Sequence, residues 1–276
     1  MLDDNTACYR HPDRAAAVAC QRCERPICSS CMTQASVGFH CPECTKANAQ
    51  TVIRGRDIRS RTDTPITVGL IIANALIFLV QGVAFGDPAT SLQREGLLFG
   101  PAVQSGDWWR IITSGFLHGS LIHVGANMWA LWIFGPPLER ALGRARFALA
   151  YLAGLLGGAA AVMNFNFDAP TLGASGAVLG LAGALSALLW ARGVSIMQSS
   201  LGGVLLINLA LPLLVPIISF WGHLGGIAGG FAAGWLLAWL PERYGRSSNE
   251  AVSATAALCV VLAALALLGP SLLGIG

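Results

Sequence analysis

The chain has 276 residues, of which 54% are hydrophobic and only 11% are charged, and its formal net charge is +3. Its mean hydropathy of +0.62 excludes an ordinary soluble globular protein, in which about a quarter of the residues are charged. So small a net charge gives no indication of a nucleic-acid partner. The first 63 residues are polar and cysteine-rich, and nearly everything after Pro65 is apolar. The composition therefore predicts an all-α polytopic membrane protein with a small soluble domain at its N-terminus.

The first 48 residues contain four pairs of cysteine or histidine with two residues between the members of each pair. The pairs are Cys8 and His11, Cys20 and Cys23, Cys28 and Cys31, and Cys41 and Cys44. This spacing lets both side chains of a turn reach one tetrahedral metal, so eight ligands predict two structural Zn²⁺ ions. So short a segment has too little core to fold alone, and metal binding would supply its folding free energy. We expect residues 1–48 to be a cytoplasmic zinc-binding domain.

A disulfide-linked domain is the alternative to zinc. Seven of the eight cysteines lie here, which is an odd number, and they are mixed with histidine at the same spacing. The acidic start Met1-Leu2-Asp3-Asp4 is not typical of a signal peptide, so we expect a reducing compartment. The eighth cysteine, Cys259, is distant and is predicted to be an apolar packing residue.

The spacing resembles that of a B-box-type zinc finger, in which the pairs interleave. The resemblance implies one ion bound by Cys8, His11, Cys28 and Cys31, and a second bound by Cys20, Cys23, Cys41 and Cys44. This sequence departs from the usual B-box because it ends in cysteines rather than histidine pairs, which leaves His40 as a spare ligand. A protein partner of the finger is a further expectation.

Residues 49–65 are predicted to be a basic linker, with Arg54, Arg56, Arg59 and Arg61. A basic segment beside a membrane span holds that side in the cytoplasm and contacts anionic lipid. Nucleic-acid binding has little support, because no aromatic residues interleave with the arginines.

The predicted transmembrane domain, residues 66–276, contains seven apolar runs of spanning length: Ile66–Phe85, Leu117–Leu138, Phe147–Phe165, Leu172–Trp190, Leu201–Phe220, His223–Leu240 and Val252–Leu273.

The charges in the connections predict the orientation. Seven spans that follow a cytoplasmic domain place the C-terminus outside. The connections then expected in the cytoplasm carry six arginines (Arg140, Arg144, Arg146, Arg192, Arg243, Arg246), and the outer connections carry two (Arg94, Arg110). This is the positive-inside bias. We expect a multi-pass protein of a bacterial plasma membrane, with Ser175 and His223 at similar depth near the outer surface.

Ser175 and His223 are isolated reactive side chains at the ends of apolar runs, and small residues can bring them together. The sixth span has a glycine every fourth residue and the fourth span is also glycine-rich: Gly222, Gly226, Gly230 and Gly234, and Gly176, Gly180 and Gly183. Small residues let membrane helices approach closely. Ser175 would act as nucleophile and His223 as general base. The only acids between Trp108 and Leu240 are Glu139 and Asp168, neither well placed, so a dyad is predicted.

The second span contributes polar side chains that could stabilise an oxyanion. His123 and Asn127 are four residues apart and so project from one helical face. Polar groups at this depth in a membrane cost free energy, and they usually face a functional cavity. With the backbone N–H of Ser175 they are predicted to form an oxyanion hole, with His118 nearby. Inter-helix hydrogen bonding is the alternative role for His118.

Together, Gly173-Ala174-Ser175-Gly176, His223 followed by a small-residue repeat, and His123-x3-Asn127 resemble the rhomboid family of intramembrane serine proteases. Trp109-Arg110 in the first outer loop and Glu139 also match. The resemblance implies a six-helix core with a seventh C-terminal helix. It also implies membrane-anchored protein substrates cut near the outer face, with Ser175 and His223 as catalytic residues and no cofactor for catalysis.

Leu179 departs from the family pattern, because some members place an aromatic residue there that stacks on the histidine. We therefore expect His223 to be held by packing against glycine helices alone. Pro212 and Pro216 are predicted to kink the fifth span, and the resemblance implies that a substrate helix enters on the side of this span.

The alternative function is a catalytically silent scaffold that binds membrane proteins. A channel would need a continuous polar path, whereas the polar residues cluster at the outer side.

Overall fold

The computed structural model describes residues 6–35, 37–47, 63–82, 91–245 and 247–275. The chain divides into two compact units, Met1–Ser60 and Arg61–Gly276. The division falls inside the predicted linker, and the exact domain limits stay a prediction. The four linker arginines lie outside the described residues, as do Arg246 and the end of the first predicted span.

The N-terminal unit is built from two short antiparallel hairpins. Strand β1 (Val18–Ala19) pairs with β2 (Pro26–Ile27), and β3 (Thr33–Gln34) pairs with β4 (Phe39–His40). Helix α1 (Pro42–Ala47) follows. The buried core consists of five cysteines and Ile27: Cys8, Cys20, Cys28, Cys31 and Cys41. Such a core buries little hydrocarbon, so hydrophobic burial alone offers little to stabilise it.

In its described residues, the second unit consists of helices and the loops that connect them. Its helices are α2 (Pro65–Val80), α3 (Ser91–Gly96), α4 (Gly100–Gln104), α5 (Arg110–Thr113), α6 (Leu121–Leu142), α7 (Arg144–Phe165), α8 (Ser175–Ala191), α9 (Ser200–Leu214), α10 (Phe220–Gly234), α11 (Leu240–Tyr244) and α12 (Ser248–Leu272). A π-helical segment, Trp235–Trp239, joins α10 to α11. Each of the seven predicted spans overlaps the greater part of one long helix (α2, α6, α7, α8, α9, α10 and α12), with ends that differ by a few residues. Among the described helices, α7 and α12 are long and apolar enough to cross a membrane by length and composition.

Helices α8 and α10 touch through their backbones. A Cβ added at Gly226 would overlap Gly176, and one added at Gly230 would overlap the carbonyl of Gly180. Helix α7 joins the contact through Gly157, whose Cβ would overlap the backbone of α10. The predicted glycine contact between the fourth and sixth spans is confirmed. Cys259 is also buried in the apolar core, as predicted.

Glu139, near the C-terminal end of α6, caps the N-terminus of α2. Its Oε1 accepts the backbone N–H of Ile66 at 3.0 Å, and its Oε2 accepts the N–H of Thr67 at 2.8 Å. The hydroxyl of Thr67 donates to Oε2 at 2.7 Å. The first N–H groups of a helix have no partner within it and carry partial positive charge. A buried carboxylate therefore suits this position and fixes α2 against α6.

We expect Glu139→Gln to lower the free energy of unfolding by about 1–3 kcal/mol, because an amide has only one acceptor atom for three donors. Thermal unfolding of the detergent-solubilised chain measures the effect. The matched control is Glu95→Gln, since Glu95 is exposed. Equal melting temperatures for Glu139→Gln and the parent chain would contradict the capping role.

Candidate active site

A cavity of 990 Å³ lies among α6, α8, α9 and α10. Most of its lining is apolar, and four of the five predicted catalytic and oxyanion residues line it: Ser175, His223, His123 and Asn127. Among the described residues, none that lines the cavity is Asp or Glu, and Asp168 is exposed. The fifth residue, His118, is fully buried beside the cavity and does not line it.

Ser175 is the first residue of α8, three residues later than the predicted start of the fourth span. The chain enters the helix through Gly173, whose φ of +129° is a conformation that L-residues rarely adopt. The N–H of Gly173 donates to the carbonyl of Ser114 at 2.9 Å, which fixes the entry. Ser175 thus lies where unpaired N–H groups and the helix dipole favour negative charge.

His223 lies in the first turn of α10 and is 5% exposed. Its Nδ1 is 2.9 Å from the carbonyl oxygen of Asn208 in α9. A carbonyl can only accept, so Nδ1 carries the proton and Nε2 is left as an acceptor. The prediction that packing alone holds His223 is wrong, because this hydrogen bond also orients the ring. Leu179 lines the same cavity.

Within the described part of the chain, no hydrogen bond joins Ser175 to His223. Both side chains nevertheless face one cavity, from the first turns of two helices in backbone contact. Catalytic hydrogen bonds are often long before a substrate is bound and tighten in the complex.

His123 packs against the loop that carries Ser175. A Cβ added at Gly173 would lie 2.7 Å from Nε2 of His123 and 3.8 Å from Oγ of Ser175. Only glycine therefore fits between the ring and the loop. Asn127, one turn further along α6, donates from Nδ2 to the carbonyl of His123 at 3.0 Å. The second hydrogen on Nδ2 leaves Asn127 able to donate into the cavity.

His118 contacts the loop that leads into Ser175. Its Nε2 accepts the N–H of Ala174 at 3.4 Å, and its ring lies edge-on to that of His123 with centroids 5.0 Å apart. Gln81 bonds both backbone groups of His118, accepting its N–H at 3.1 Å and donating to its carbonyl at 3.2 Å. Gln93 donates to the same carbonyl at 3.4 Å. Neither glutamine was predicted from the sequence, although the position of Gln81 at the end of an apolar run was a signal.

Arg110 holds the connection between α2 and α6 together. Its guanidinium donates to Asp107 at 2.8 and 2.9 Å and to the carbonyls of Arg94 and Leu97 at 2.7 and 3.1 Å. The preceding Trp109 is 41% exposed. A buried arginine beside an exposed tryptophan gives this connection a fixed fold with an amphipathic surface.

The N-terminal unit brings its eight predicted ligands into two groups. Cys8, His11, Cys28 and Cys31 form one group and Cys20, Cys23, Cys41 and Cys44 the other, with all ligand atoms of a group within 4.8 Å of one another. The Nδ1 of His11 is 3.3 Å from Sγ of Cys31. Ligands of one tetrahedral ion are separated by about 3.5 Å, so each group could hold a metal ion. His40 belongs to neither group of described residues.

Backbone N–H groups point at the sulfur atoms, as they do around metal-bound thiolates. The N–H of Cys41 donates to Sγ of Cys20 at 3.2 Å. Hydrogen bonds from the backbone N–H and the guanidinium of Arg25 lower the pKa of the Cys23 thiol. The thiolate is the form that binds metal, so these hydrogen bonds favour ligation by Cys23.

The fold and the cavity define a helical membrane protein in which a serine and a histidine share one site. Residues 105–240 match the family model described as the Rhomboid domain. The second unit therefore contains a Rhomboid domain, and the rhomboid family that shares this domain is embedded in membranes.

Named relatives extend the comparison. The chain is 35% identical over 148 residues to "Rhomboid protease GluP" of Bacillus subtilis (strain 168), covering 52% of this chain and 27% of the relative. It is 35% identical over 123 residues to "Putative rhomboid protease YdcA" of the same organism, covering 43% and 60%. It is 32% identical over 124 residues to human "Rhomboid-related protein 3", covering 43% and 30%. Each match spans less than two thirds of the relative.

Proposed function

We propose that the chain is an intramembrane serine endopeptidase that hydrolyses peptide bonds of membrane-anchored proteins near the extracytoplasmic face. The observation that carries this proposal is the shared cavity. Ser175 lies there at a helix N-terminus, opposite a histidine whose hydrogen-bonded Nδ1 leaves Nε2 as the basic atom. Two relatives named as rhomboid proteases support the same reaction class.

In the proposed mechanism, Oγ of Ser175 attacks the scissile carbonyl carbon while Nε2 of His223 takes its proton. The oxyanion accepts hydrogen bonds from the backbone N–H of Ser175 and from the side chains of His123 and Asn127. The imidazolium then protonates the leaving amine, and the acyl-enzyme forms. Water hydrolyses the ester with His223 again as base. Because no described residue that lines the cavity carries a carboxylate, the pair works as a dyad.

The test is cleavage of a single-span protein by the purified chain in proteoliposomes, with the products identified by mass spectrometry. The substrates form a panel with small residues near the outer end of the span. The proposal expects one cut near that end. A chain that binds panel members at micromolar concentration without cutting any of them is instead the scaffold, the alternative function. The presence of both Ser175 and His223 favours the enzyme.

We propose that both metal groups of the N-terminal unit hold structural Zn²⁺. A Cys₃His and a Cys₄ set of ligands is typical of closed tetrahedral zinc sites, which leave no position open for catalysis. We also propose a cytoplasmic N-terminus and an extracytoplasmic C-terminus in a bacterial plasma membrane, on the basis of the arginine bias between the connections.

Metal analysis of the purified full-length chain is expected to find close to two zinc ions per chain. Cys31→Ser is expected to lower this to about one, because it removes a ligand from one group only. His40→Ala is the matched control and keeps two, since His40 lies outside both groups. A zinc content near zero in the parent, or loss of zinc in His40→Ala, would overturn the double site.

A further inference from the structure

The hydrogen bond that orients His223 depends on a backbone carbonyl that a regular helix would not offer. Within an α-helix each carbonyl accepts from the N–H four residues later. The carbonyl of Asn208 instead accepts Nδ1 of His223 at 2.9 Å, from a different helix. The side chain of Asn208 takes no part, because its Nδ2 donates to the carbonyl of Val204 at 2.9 Å.

Pro212 explains why that carbonyl is free. It lies inside α9, is buried, and stands four residues after Asn208. Proline has no N–H, and its ring pushes away the carbonyl of the residue four positions earlier. In a low-dielectric interior an unpaired carbonyl is costly, so a partner from a neighbouring helix is strongly favoured. The ring of His223 provides that partner.

We propose that Pro212 is a positioning residue for the general base, acting through the carbonyl of Asn208 on His223. This inference rests on the proposed function and adds a third member to the site, a main-chain acceptor where a triad has a carboxylate. The carbonyl holds the proton on Nδ1, keeps Nε2 aimed into the cavity and stabilises the imidazolium that forms when Ser175 is deprotonated.

Pro212→Ala tests the proposal, because alanine restores an N–H that can bond the carbonyl of Asn208 and compete with His223. The matched control is Pro270→Ala, which makes the same change inside α12, away from the cavity. We expect Pro212→Ala to lower kcat roughly tenfold and to leave KM within about twofold. A change in KM alone would assign Pro212 to substrate binding and overturn the proposal, as would a loss of kcat equal to that of Pro270→Ala.

Two further measurements do not depend on substrate cleavage. A small serine-directed fluorophosphonate should label Ser175 about tenfold more slowly in Pro212→Ala than in the parent. Nitrogen-15 NMR of the histidines, with His223 assigned from His223→Gln, should show the Nδ1–H tautomer in the parent and a mixture in Pro212→Ala. If the parent labels and cleaves but the variant matches it, the positioning role fails and the protease stands. If the parent never cleaves, the proposed function fails, and the tautomer shift still decides whether Pro212 orients His223.

Discussion

Ser175→Ala and His223→Gln are each expected to lower kcat/KM for a membrane-anchored substrate by about 10⁴-fold or more. The first change removes the nucleophile, and the second removes the atom that takes its proton. Because the two residues act as one unit, the double variant is expected to be no slower than either single variant. Initial rates of cleavage in proteoliposomes, followed by fluorescence and verified by mass spectrometry, measure the effect.

Ser186→Ala is the matched control for the serine. Ser186 lies in α8 like Ser175, is buried, and donates its hydroxyl to the carbonyl of Ala182 at 2.8 Å. It does not line the cavity, so its loss is expected to leave the rate within about twofold. The melting temperature of Ser175→Ala should match that of the parent, since the side chain of Ser175 lines the cavity and is not part of the apolar core. Cleavage by Ser175→Ala at the parent's rate would remove this residue as the nucleophile.

The same variants separate an enzyme from a scaffold. An enzyme without its nucleophile still binds substrate, so a tagged substrate should remain attached to Ser175→Ala in an uncut form. A scaffold binds equally well in the parent and the variant and yields no product in either. The parent's product is therefore the deciding observation, and the variant's retained binding shows that the cavity stays intact.

The chemistry-bearing residues could be read from the sequence because each is isolated in an apolar context. Packing in an apolar segment does not require a polar side chain at Ser175 or His223, so these residues indicate a function. The regularly spaced glycines predict which helices pack against each other. The acceptor for His223 could not be found in this way, because it is a main-chain carbonyl. Pro212 was noticed as a kink, but which neighbour would use the freed carbonyl depends on how α9 lies against α10.

For the metal groups and for Glu139, too, the sequence identifies the residues but not the partners that the fold brings to them. Spacing identifies pairs of ligands, whereas the choice of which pairs share an ion depends on how the hairpins fold, and only a family resemblance suggested it. From the sequence alone, Glu139 is noted only as a match to the rhomboid family. Its contacts with Ile66 and Thr67 join residues more than seventy positions apart, and no local pattern encodes such a pairing.

Gly230→Ala is expected to lower the free energy of unfolding by about 3 kcal/mol, which is large for the addition of one methyl group. The new Cβ would overlap the carbonyl oxygen, carbonyl carbon and Cα of Gly180, all backbone atoms that cannot rotate away. The two helices must therefore separate. In a membrane, where close packing rather than water exclusion holds helices together, that separation removes the main source of their association.

Gly203→Ala in α9 is the matched control, because a Cβ there meets no atom within 4 Å. Alanine favours helix over glycine by about 1 kcal/mol, so this variant should be as stable as the parent or slightly more so. Thermal unfolding in detergent gives both values.

Gly230 lies two helical turns after His223 in α10. Separation of α8 from α10 should therefore also move Nε2 of His223 away from Ser175. Gly230→Ala is thus expected to lose cleavage at temperatures where it is still folded, whereas Gly203→Ala keeps it. Equal stability and activity in the two variants would mean that the glycine contact is not what holds the dyad together.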